Sequence, residues 1–87
     1  MTKGVKVKAL IQVTLKNEVL DPQGKAVQNS LKSLGFRGIK NVRQGKLIEI
    51  ELQESNIKIA RESLDEMCNK LLANPVIENY RIEISED

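Results

Sequence analysis

A run of alternating residues near the N-terminus constrains the chain more than any other stretch. Val5, Val7, Ala9, Ile11, Val13 and Leu15 alternate with Lys6, Lys8, Leu10, Gln12, Thr14 and Lys16. A period of two is the signature of a strand with one buried face and one wet face. Leu10 is the apolar exception on the wet side. At about 3.3 Å per residue the run spans ~40 Å. That exceeds the width of a compact domain of 87 residues. Part of the strand is therefore expected to reach beyond its own subunit and to pair or pack with another.

The chain turns back at Leu20-Asp21-Pro22-Gln23-Gly24-Lys25-Ala26-Val27. Asp21 is suited to cap a helix, since a carboxylate can accept from the free N–H groups of the first turn. Pro22 fits the first helical position, where no N–H is needed. Gly24 weakens a helix by ~1 kcal/mol relative to Ala, so close approach of another backbone is the expected reason for it. The helix runs from Pro22 to Leu34, with Ala26, Val27, Ser30, Leu31 and Leu34 on one face. Gly35 ends it, and Phe36 is placed to pack back on Leu31 in a Schellman cap.

Beyond it, Ile39–Arg43 reads as a strand, Gln44-Gly45 as a tight hairpin turn, and Lys46–Gln53 as a third strand alternating Ile48, Ile50 and Leu52 with Glu49, Glu51 and Gln53. Ser55 or Asn56 caps a second helix with the stripe Ile57, Ala60, Leu64, Met67, Cys68, Leu71 and Leu72. Pro75 stops that helix, because the residue before a proline is pushed to an extended conformation. Val76–Ile84 is the last strand, with Tyr80, Ile82 and Ile84 on one face, and Ser85-Glu86-Asp87 is expected to fray. Ile39-Lys40-Asn41-Val42-Arg43 echoes Ile77-Glu78-Asn79-Tyr80-Arg81, as a duplicated unit would. The expected fold is α+β, a single domain over residues 1–87. It is a ferredoxin-like βαββαβ plait, a four-stranded antiparallel sheet with both helices on one face. A domain of this size is often marginal alone, and oligomerisation is a common remedy.

Charge is distributed unevenly. Residues 1–46 hold ten Lys/Arg and two Asp/Glu, and residues 47–87 hold four and ten. A basic surface for an acidic partner is one reading. Neutralisation across a shared sheet is the other and the favoured one, since Lys6 and Lys8 would lie beside Glu49 and Glu51 on the open face. The single cysteine forms no internal disulfide, and no apolar run has membrane-spanning length. A soluble cytoplasmic protein is expected.

Catalytic residue types are scarce. Without histidine, the commonest general base and metal ligand are absent. Cys68 sits on the apolar stripe and reads as a core residue. No zinc-ligand pair exists, and Gln23-Gly24-Lys25 is too short for a phosphate loop. Glu49 and Glu51 read as solvated or paired carboxylates. Phe36-Arg37 and Asn41 do not reproduce an acylphosphatase motif. The central strands carry no aromatic residue to stack nucleic-acid bases. No catalytic, cofactor or metal residue is expected in this chain, and an interaction module is favoured over a stand-alone enzyme.

Four strings carry a resemblance. They are Val19-Leu20-Asp21-Pro22-Gln23-Gly24-Lys25-Ala26-Val27, Leu31 through Leu34-Gly35-Phe36, Val42-Arg43-Gln44-Gly45-Lys46, and Cys68-Asn69-Lys70-Leu71-Leu72-Ala73-Asn74-Pro75-Val76-Ile77-Glu78. With them the chain resembles the PurS family, the small subunit of phosphoribosylformylglycinamidine synthase in purine biosynthesis. The resemblance implies a non-catalytic subunit of a glutamine-hydrolysing C–N ligase. A glutaminase subunit would release ammonia, and a synthetase subunit would bind ATP and magnesium. This chain would associate with itself as a dimer or tetramer, bridge those two partners and support ammonia transfer, with no nucleic acid and no membrane involved.

Motif positions left over by the core are the candidate partner contacts: Asp21, Gln23, Gly24, Arg43, Gly45, Lys46, Asn74 and Pro75. Arg43 also fits a solvated strand end, and Asn74 and Pro75 fit a helix stop. Gly24 is expected to admit the backbone of a neighbouring chain. The alternative function is a small-molecule-sensing dimer of the ACT type, which shares the plait.

Overall fold

The computed structural model describes residues 6–86. Val5 and Asp87, at the ends of the expected first strand and tail, lie outside the described residues. Strand β1 covers Lys6–Leu15, helix α1 Pro22–Ser33, strand β2 Gly45–Gln53, helix α2 Ile57–Met67 and strand β3 Glu78–Glu86. A single π-helical turn, Cys68–Leu72, extends α2.

The sheet is antiparallel with order β2-β1-β3. The alternation of β1 does what its period requires. Val7, Ala9, Ile11 and Val13 are buried on one face, and Gln12 and Thr14 are exposed on the other. Ile11 lies opposite Ile48 on one side and Ile82 on the other. Lys8 lies opposite Glu51, so part of the expected charge neutralisation occurs across this ladder. Leu64, Cys68 and Ala73 close the core over β1, and Ile48, Ile50, Leu52, Tyr80, Ile82 and Ile84 pack half-buried around them.

Among the described residues the sheet has three strands, which corrects the four-stranded expectation. Residues 39–43 form no strand. Gly35 and Gly38 adopt left-handed φ values of 96° and 81°, and the segment they redirect runs back along α1. The Val42 carbonyl comes so close to Gly24 that a Cβ there would meet it at 2.5 Å. No hairpin exists at Gln44-Gly45, because no strand precedes it. Gly45 instead opens β2 opposite Thr14, where a Cβ would collide with the Val13 carbonyl. The echo between residues 39–43 and 77–81 thus marks different structures, a loop and the entry to β3.

Other boundaries moved for local reasons. The second helix ends at Ala73, which is extended (φ −134°, ψ 147°). The Asn74 side chain then accepts from Val76 N–H, while the Asn74 carbonyl accepts from Ile77 and Glu78. That turn delays β3 to Glu78, and Ser85 and Glu86 pair with Lys8 and Val7 rather than fray. β1 is paired on both sides over nearly its whole described length, so it does not overhang its own sheet.

The element that overhangs is α1. None of its residues joins the core cluster. Val27 and Leu34 are exposed, Leu34 by 74%. The Schellman bonds form, with Phe36 N–H donating to Leu31 and Gly35 N–H to Lys32. Even so, the Phe36 ring stays 57% exposed. The chain measures 58 × 27 × 15 Å with a radius of gyration of 17.1 Å. A compact domain of this length would have a radius near 12 Å. The molecule is a compact body, made of the sheet and α2, from which α1 and residues 35–43 project as an arm.

Candidate functional site

The arm joins the body where residues 16–21 lead out and residues 43–45 lead back. Asp21 stands at this junction because the helix start needs a cap. One carboxylate oxygen accepts from Gly24 N–H at 2.9 Å, and the other accepts from Gln44 N–H at 2.7 Å. The second bond comes from the returning segment, which sequence spacing could not reveal. The Gln44 and Gly24 N–H donors hold the Asp21 carboxyl below its ordinary value, with the Arg43 charge adding a smaller contribution.

Arg43 crosses the same junction in the other direction. Its Nη2 donates to the Leu15 and Lys16 carbonyls, each at 2.8 Å. These are the carbonyls at and just past the end of β1. Gln44 Nε2 donates to Gln23 Oε1 at 3.2 Å. Lys16 N–H donates to the Ile77 carbonyl at 2.9 Å, tying the junction to the segment that enters β3.

Asp21, Gln23, Gly24, Arg43 and Gly45 are therefore brought together. Lys46 follows in β2 opposite Val13, with its side chain exposed. Asn74 and Pro75 belong to the separate turn described above, and Asn74 N–H donates to Glu78 Oε1 at 2.7 Å. Arg43 is a structural tie rather than a solvated strand end. The backbone that needs Gly24 is that of Val42 in the same chain, which corrects the expectation of a neighbouring chain.

An open cleft of about 360 Å3 lies beside the junction, between the Asn17–Asp21 turn and Lys25, Gln28 and Asn41. It holds no nucleophile paired with a base, and Asp21 already spends both oxygens on backbone N–H groups. Among the described residues, no three His, Cys, Asp or Glu side chains stand close enough to hold a metal ion. Cys68 is fully buried, and burial pushes its thiol up, with Asp65 adding to the effect. Tyr80 donates its hydroxyl to Asp65 at 3.2 Å; burial first and Asp65 second push the phenol up as well.

The second feature was not found by sequence reasoning. An apolar groove of about 410 Å3 lies over β2 beside α2, lined by Ile50, Met67, Leu71 and Leu72 with Ser63, Glu66 and Lys70 at its rim. Leu71 is 82% exposed. A plait would seat its first helix on this side of the sheet. The apolar face of α1 and the groove are thus two uncovered surfaces of one molecule. Their signal in the sequence was the amphipathic pattern of α1, which says that a helix face will be buried but not by which chain.

The model of the PurS family, described as phosphoribosylformylglycinamidine (FGAM) synthase, matches residues 8–86. The chain is 52% identical over 75 residues to phosphoribosylformylglycinamidine synthase subunit PurS of Synechocystis, covering 86% of this chain and 75% of that protein. The crystal structure of Methanocaldococcus jannaschii PurS, described as one of the subunits of formylglycinamide ribonucleotide amidotransferase in the purine biosynthetic pathway, superposes with a TM-score of 0.81 at 43% identity, covering 91% of this chain and 95% of that one. A chain in the structure of PurLQS from Thermotoga maritima superposes with a TM-score of 0.85 at 31% identity, covering 92% and 98%.

Proposed function

The chain belongs to the PurS family, and on that premise we propose that it works as a dimeric bridge within phosphoribosylformylglycinamidine synthase. It is a non-catalytic subunit of that glutamine-dependent ligase. Its partners are a glutaminase subunit, a synthetase subunit that binds ATP and magnesium, and a second copy of itself. By joining the first two it supports passage of ammonia between them. The structure of PurLQS from Thermotoga maritima supports association with further subunits. The whole assembly is read as cytoplasmic.

One observation carries the reading: the chain exposes both an amphipathic helix and the groove that such a helix would fill. An arm that leaves its own core bare is completed by another copy. In the dimer, α1 of each chain lies in the groove over β2 of the other, and residues 39–43 run beside the free edge of the partner's β2. The four-stranded plait with two helices on one face is then a property of the dimer. Charge favours the exchange. Residues 22–44 carry five Lys/Arg and no Asp/Glu, whereas residues 45–86 carry five Lys/Arg and nine Asp/Glu. The basic arm of one copy meets the acidic body of the other.

Co-purification with the glutaminase and the synthetase, followed by mass determination, tests the bridge. A complex holding at least two copies of this chain is expected, and glutamine-dependent synthase activity should require it. Full activity of the two larger subunits without this chain would overturn the proposal.

A further inference from the structure

We propose that Asp21 and Arg43 form a brace that locks the arm open, so that its apolar face can reach the groove of a second copy but not its own. The inference rests on the arm-exchange reading above and deepens it. Two peptide segments cross between body and arm, and a hinge that let the arm fold back would have to reverse both. The brace ties each crossing to the other. Arg43, on the returning segment, holds the Leu15 and Lys16 carbonyls where the outgoing segment begins. Asp21, at the end of the outgoing segment, holds Gln44 N–H where the returning segment finishes.

The rest of the junction removes the remaining freedom. Lys16 takes a second donor from Val19 N–H at 2.9 Å, which closes the outgoing turn. Its own N–H is fixed to Ile77. Gly24 lets the Val42 carbonyl lie against the first turn of α1, so the two halves of the arm touch at their base. The base is thus tied by hydrogen bonds to a charged group on each side, which are stronger than neutral ones. Among the described residues, the far end of the arm, Leu34 to Arg37, carries no such tie to the body. A rigid base with a bare far end is what a pre-organised exchange arm requires. Fixing the arm before association removes an ordering penalty from dimerisation and removes the closed monomer as a competitor.

The test uses the full chain in a Cys68→Ala background with Leu34→Cys on the arm and Leu71→Cys at the groove. Mild oxidation reports whether arm and groove meet within or between chains, and sedimentation gives the dimer dissociation constant. With the brace intact, cross-links between chains are expected. Arg43→Met should raise the dissociation constant at least about tenfold, the equivalent of ~1.4 kcal/mol, and shift cross-links to within chains. Asp21→Asn keeps one acceptor oxygen and should shift both readouts in the same direction by less. If Arg43→Met does not fold, Asp21→Asn decides.

Cross-links between chains with an unchanged dissociation constant in every folded variant would overturn the brace alone. Cross-links within chains when Asp21 and Arg43 are intact would overturn the exchange reading and the brace together.

Discussion

The two helices of this chain are near-equals in sequence and opposites in position. α1 has 12 residues and α2 has 11, and each has a polar N-cap and an apolar stripe. Asn56 accepts from Lys58 and Ile59 N–H at the start of α2, as Asp21 accepts from Gly24 at the start of α1. Yet α2 buries Ala60 and Leu64 and leads into buried Cys68, while the buried residues of α1 are Gly24 and Gln28. The apolar stripe of α1 faces away from its own core. An amphipathic pattern therefore fixes that a face will be covered, and it leaves open whether the same chain supplies the cover.

Truncation in the two stripes is the sharpest way to break this contrast. Leu64 is fully buried, so Leu64→Ala should destabilise the folded chain by about 2–5 kcal/mol. Leu34 is largely exposed, so Leu34→Ser should leave the unfolding free energy of the dilute chain, read from urea titration, within ~0.5 kcal/mol of the parent and weaken self-association. If Leu34→Ser unfolds the dilute chain as Leu64→Ala does, α1 belongs to its own core and the contrast fails.

A smaller effect is expected where the arm meets the body. Gly24→Val places side-chain atoms against a backbone carbonyl, which has little room to give. Overpacking of this kind costs about 1–3 kcal/mol. Because the Val42 backbone belongs to the same chain, thermal melting and pull-down should both be impaired. Impaired pull-down with an unchanged melt would show that a neighbouring chain, not Val42, sets the need for Gly24.

Local physics made much of this legible in advance. The period of two in β1, the Asp21-Pro22 start, the Gly35 stop and a cap at Ser55 or Asn56, which the structure makes Asn56, each follow from residue types at fixed spacing. The fourth strand did not. Ile39–Arg43 has a strand-like pattern and the outer edge of β2 is open to pair, but a strand forms only where the chain is aimed at such an edge. Here two left-handed glycines aim the segment along α1 instead. The junction was half legible. Asp21 and Gly24 stood out as a cap and an unexplained glycine, while Gln44 N–H and the Leu15 and Lys16 carbonyls are backbone groups that no side-chain pattern announces. The groove was invisible, because Ile50, Met67, Leu71 and Leu72 read as ordinary core positions until the helix expected to cover them proved to point elsewhere.

The two caps provide a finer comparison. Asn56→Ala should destabilise the body by ~1 kcal/mol, since it removes both acceptor bonds at the start of α2. The effect should be nearly the same at every pH, because an amide does not titrate.

Acid separates the caps with the smallest perturbation of all. The Asp21 carboxyl is held below its ordinary value of 3.8 by the Gln44 and Gly24 N–H donors. A group with a lowered folded-state value contributes stability that is present above its unfolded value and is lost as pH falls through the folded one. The Asp21 contribution should therefore be present above about pH 3.8 and fade progressively as pH falls from there through the lower folded-state value. Glu66, paired with Lys70 on α2, is lowered too and would fade in a similar window. That pair is exposed and screened by salt, so added salt removes its share and leaves the Asp21 bonds to backbone N–H largely intact. Amide exchange at moderate salt should then show Gly24 and Gln44 losing protection on acidification while Lys58 and Ile59 keep theirs. Simultaneous loss at all four amides would mean that arm and body open as one unit, and the distinction between the two helices would not survive it.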